Sequence, residues 1–94
     1  MGVHLVLSTE DGEEHPDWDW LRHAGDSDFA GLLGSELGYV TSSEEDPWDR
    51  GMRPSDYAAW RAVIAAREWP NPGRFEKLVD LLQANIHHWL YVSR

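Results

Sequence analysis

Two short stretches of alternating residues, one near each end of the chain, constrain its fold more than any other feature. In residues 3–8 (Val-His-Leu-Val-Leu-Ser), Val3, Leu5 and Leu7 fall on one side of an extended backbone, and His4, Val6 and Ser8 on the other. Residues 86–92 (Ile-His-His-Trp-Leu-Tyr-Val) repeat the pattern, with Ile86, His88, Leu90 and Val92 opposite His87, Trp89 and Tyr91. Two half-buried strands that enclose helical segments predict an α+β fold. The terminal strands pair in a small antiparallel sheet, and three to four helices pack on one face of it. A two-stranded sheet is marginal alone, so the helices must supply most of the buried surface. At 94 residues the whole chain, 1–94, is expected to form a single domain.

The helical segments differ in strength. Asp17 can cap a short helix running to Gly25. A second is expected from Asp26 or Ser27 to Gly38, with Phe29, Leu32, Leu33 and Leu37 on one face. Tyr39–Thr41 is a candidate strand, and residues 42–53, which include Trp48, read as loop. The strongest pattern runs from Pro54 to about Trp69, with Tyr57, Trp60, Val63 and Ile64 on a single face. Asn71-Pro72 then reads as N-cap and first turn of a last helix carrying Phe75, Leu78, Val79 and Leu82, with Asn85 suited to a left-handed stop. Trp60, Ile64, Phe75, Leu78 and Leu82 are the predicted core.

Composition limits the chemistry. There is no cysteine, which rules out a thiol nucleophile and a zinc–thiolate centre and favours a reducing, cytoplasmic location. The first residues lack the basic and apolar regions of a secretory leader, and no stretch approaches the ~20 apolar residues of a membrane span. Glycine-rich phosphate loops, G-x-S-x-G and H-E-x-x-H are all missing, and Lys77 is the sole lysine. These features predict a protein without enzymatic activity or a cofactor.

Charge is more informative. The net charge is −9, distributed as thirteen acids and one arginine (Arg22) in residues 1–49, against four acids and seven basic residues in 50–94. Six acids (Glu10, Asp11, Glu13, Glu14, Asp17 and Asp19) lie within ten residues, and Glu44, Glu45, Asp46 and Asp49 within six. Such a distribution disfavours direct binding to nucleic acid or an anionic membrane, and favours a protein partner with a basic groove. Carboxylates spaced on a rigid surface can imitate a phosphate backbone, so an inhibitor or DNA mimic of nucleic-acid-binding machinery is the sharpest form of this expectation.

Two further clusters stand beside it. His15, Asp17, Asp19 and His23 could bind a divalent cation if a helix aligned Asp19 with His23, which would make a small metal-dependent enzyme. An acid-rich helix start accounts for the same residues, and no metal site is predicted. The sheet face carrying His4, His87, Trp89 and Tyr91 is too apolar to stay bare. Its expected cover is the chain's own loop through Trp48, a partner, or a second copy in a homodimer. An adaptor or self-associating module using that face is the alternative function.

Overall fold

The computed structural model describes residues 2–42 and 50–94. Among them the order is β1 (His4–Thr9), α1 (Asp26–Leu32), β2 (Tyr39–Thr41), β3 (Met52–Pro54), α2 (Tyr57–Ala65), α3 (Arg74–Ala84) and β4 (His88–Ser93). The strands form one antiparallel sheet ordered β1-β4-β3-β2. The predicted α+β architecture is therefore present, and the terminal strands are adjacent. The sheet has two more strands than the terminal pair.

Register puts Leu5 opposite Val92 and Leu7 opposite Leu90. Leu5, Leu7 and Leu90 are fully buried and meet Phe29, Leu37, Trp60, Ile64, Phe75, Leu78, Val79 and Leu82 from the helical layer. All five predicted core residues of α2 and α3 are in this cluster. Its centre is aromatic: Phe29 stacks on Phe75 at 4.5 Å, and Trp60 meets the Phe29 ring edge-on at 5.8 Å.

Several local expectations give way to tertiary bonding. Residues 17–25 are not a helix. Trp18 turns its ring into the core and its indole donates to the Leu5 carbonyl at 2.8 Å. Side chains also take up backbone donors here: Asp19 Oδ1 accepts from the Leu21 N–H, and Asp26 Oδ2 from the His23 N–H. Short acidic side chains that bond nearby amides compete with a helix, and here they win. Helix α1 is correspondingly short. It stops at Leu32, and the chain turns through Gly34 well before Gly38.

Pro54 does not open α2. It closes β3, paired with Tyr39, and Asp56 is the cap, its side chain accepting from the Ala59 N–H. Met52 and Arg53 thus leave the predicted loop, and Pro54 the predicted helix, for the sheet. At the other end α2 stops at Ala65, short of Trp69, whose indole folds back and donates to the Ile64 carbonyl. The same carbonyl also accepts from the Arg67 N–H, so a backbone and a side-chain donor close this helix end together. Asn71-Pro72 precedes α3 without capping it. The cap is Gly73, at φ 87°, a left-handed backbone conformation that glycine adopts without a Cβ penalty. Asn85 is extended at φ −129°, not left-handed, and its side-chain amide donates to the Leu81 carbonyl.

Candidate protein-interaction surface

The acidic segment 10–19 is a folded turn along the free edge of β1. The Thr9 N–H donates to the Glu13 carbonyl and the Gly12 N–H to the Thr9 carbonyl, while Thr9 Oγ1 accepts from the Glu13 N–H. The chain then returns antiparallel, with Glu14 bridging Ser8 and the His15 N–H donating to the Leu7 carbonyl at 2.8 Å. Buried Trp18 fixes the far end through Leu5. Glu10, Asp11, Glu13, Glu14 and Asp17 between these anchors, and Asp19 next to Trp18, are all exposed. The backbone that carries their charges is thus fixed, although the residues themselves lie on the surface.

Glu44, Glu45, Asp46, Asp49 and Trp48 lie outside the described residues, so the predicted second acidic run and the tryptophan cover fall beyond this geometry. The flanking residues are described, and they clasp β2 to β3: the Ser42 N–H donates to the Gly51 carbonyl and the Gly51 N–H to Ser42 Oγ, both at 3.0 Å. Gly51 lies directly on the aromatic face. A Cβ there would come within 2.3 Å of Trp89 Cβ and about 3.0 Å of the Tyr91 ring.

That face is assembled much as its alternation implies. Val6 lies opposite Tyr91 and Ser8 opposite Trp89, on the side of the sheet away from the buried leucines. Arg53 adds a charge that sequence did not assign to the face: its guanidinium lies 4.9 Å from the centre of the Trp89 ring, and Nη2 donates to the Asn85 and His88 carbonyls. His4 is at the other end of β1 from His88, paired with Ser93, so His4, His87 and His88 do not gather. The His4 ring instead neighbours Trp20 at 5.8 Å. His87 precedes β4 and is exposed.

The histidine that does meet His88 is His15, edge-on at 4.8 Å. Both His15 nitrogens are engaged, Nδ1 accepting from the Asp17 N–H and Nε2 meeting the Asn85 amide at 3.1 Å. The quartet of His15, Asp17, Asp19 and His23 is thereby divided. Asp19 and His23 form a 2.9 Å pair on the surface, while the buried His15 ring bonds Asn85. No three metal-binding side chains converge among the described residues. The His23 hydrogen bond is the largest influence holding the Asp19 carboxyl below its usual range, followed by the Leu21 amide.

His88 is held below the ordinary histidine value, chiefly because burial disfavours its charged form, with His15, Arg53 and His87 acting in the same direction and Glu13 opposing them. The unfolded chain therefore binds more protons than the folded one in the window below about 6.5. Stability should fall as the pH drops through that window and level off below the folded value. Urea midpoints measured from pH 7.5 to 5 should show this slope, and His88→Gln should flatten it. An unchanged slope in the variant would assign the acid sensitivity to other groups.

One element was invisible in the sequence. Asp26 is wholly buried and accepts from Arg74 through both carboxylate oxygens, Nε–Oδ1 at 2.9 Å and Nη2–Oδ2 at 3.1 Å. Arg74 Nη2 also donates to the Asp19 carbonyl, and its guanidinium covers the Trp18 ring at 4.2 Å. The pair ties the acidic segment to α3. No helix among the described residues is long and apolar enough to cross a membrane. Comparisons with protein-family models, with curated proteins and with solved structures found no match to this chain.

Proposed function

We propose that this chain is a non-enzymatic interaction protein that docks on a basic macromolecular partner through the acidic edge of residues 10–19, acting as an inhibitor or DNA mimic of nucleic-acid-binding machinery. The observation that carries this reading is the anchored turn itself: six exposed carboxylates on a backbone fixed to β1 at Leu5, Leu7, Ser8 and Thr9. Like charges held close together cost stability, and a fixed array offers a partner's arginines a template that needs little ordering on binding.

The test begins with a partner retrieved from the native host and continues with binding kinetics. Reversal of Glu13, Glu14, Glu44 and Glu45 to lysine should slow association about tenfold or more at low salt, because charges at the rim of an interface mainly steer encounter. Circular dichroism should show the fold retained. Unchanged kinetics at low salt would make the acidic segment a solubilising coat. The partly exposed sheet face of Val6, Trp89 and Tyr91 would then carry the alternative, an adaptor or self-associating module, whose binding would persist at high salt.

A further inference from the structure

The register that sets Thr9 opposite His88 brings the acidic turn beside the start of β4. Between them lies a groove of about 620 Å³. Glu10, Asp11 and Glu13 line one side, and Ile86, His87 and Trp89 the other. Ile86 is 69% exposed, the most exposed large apolar side chain among the described residues. An acidic wall facing an apolar, aromatic one matches a side chain with an apolar stem and a cationic head. Lysine and arginine both have that form, but only the planar guanidinium can stack on a ring and pair with a carboxylate through two parallel bonds. Arg53, in this same protein, already holds a guanidinium near the Trp89 ring, with Nη2 committed to the Asn85 and His88 carbonyls.

We infer that this groove is the specificity pocket of the acidic surface and receives an arginine side chain of the protein partner. The inference rests on the docking function proposed above and adds the residue that is read. Asp11 and Glu13 take the guanidinium, and Ile86 and Trp89 take the stem. Asp17 and Asp19, which do not line the groove, contribute only long-range attraction.

Hepta-arginine and hepta-lysine peptides, titrated into the intact chain at low salt by calorimetry and by amide chemical shifts, test this. The arginine peptide should bind about fivefold or more tightly than the lysine peptide, as expected where two-point contacts to carboxylates matter. Its largest shifts should fall on residues 9–13 and 86–89. Ile86→Ser and Glu13→Gln should each remove most of that preference, whereas Asp17→Asn should weaken both peptides alike. Ile86 is on the surface, so its variant keeps the fold. Equal binding of the two peptides, with Ile86→Ser silent and shifts spread along residues 10–19, would overturn the pocket and leave the acidic docking surface standing. Absence of binding by either peptide would overturn both.

Discussion

Replacing Arg74 with methionine should cost about 3–5 kcal/mol of folding stability, the usual penalty for removing one partner of a buried ion pair. Asp26 has no exposure at all, and the Arg74 side chain is only 9% exposed, so water cannot take the place of the lost guanidinium. The remaining acceptor contact to Asp26, from the His23 N–H, leaves one carboxylate oxygen without its donor. The loss should also loosen the acidic segment, because Arg74 bonds the Asp19 carbonyl and covers Trp18. Urea unfolding would measure the effect. Combining Arg74→Met with Asp26→Asn removes the stranded charge, and the double variant should be more stable than Arg74→Met alone. A loss below about 1 kcal/mol for the single change, the scale of an exposed pair, would show that solvent reaches the site.

Phe29→Ala is the second large effect, again about 3–5 kcal/mol, the range for aromatic truncation in a packed core. Phe29 stacks parallel to Phe75 and contacts the rings of Trp60 and Trp69, so one side chain joins α1, α2 and α3 and the turn that follows α2. A small domain has about 5–15 kcal/mol of total stability, so the variant should lose a large share of it and unfold at a markedly lower temperature. Thermal unfolding followed by near-ultraviolet circular dichroism would report it. Phe29→Leu, which keeps most of the apolar volume, should recover a large part of the loss.

The parts of the fold legible in the sequence are those set by local periodicity. Leu5 and Leu7 alternate with His4, Val6 and Ser8, and Trp60, Ile64, Phe75, Leu78 and Leu82 recur at helical spacing, so their burial followed from pattern alone. Distant partners decide the rest. Strand β3 is three residues long, ends in proline and carries no period of its own. It exists because Met52 meets Leu90, and Pro54 meets Tyr39. Residues 17–25 carry the residues that start a helix, yet Trp18 is drawn to Leu5 and the acids bond their own neighbouring amides. Asp26 reads as an ordinary acid at a helix start until Arg74 arrives from across the chain. The acidic turn and the aromatic residues of β4 were each readable. Their meeting in one groove depends on the pairing of Thr9 with His88, which neither segment encodes by itself.

The position of β4 has a consequence for how the protein is made. It is the strand that touches both β1 and β3, and it follows them all in the chain. During synthesis β1 emerges before β4 with Leu5 and Leu7 uncovered, and it finds its sheet partner only after α1, α2 and α3 have been made. Contacts between distant segments form late, since the loop between them must close first. Helices α2 and α3 are neighbours in sequence and in the fold, so their contact closes a much shorter loop than the pairing of β1 with β4. The carboxylates that crowd one edge of the finished molecule thus also place like charge beside Leu5 and Leu7 while those side chains wait for Leu90.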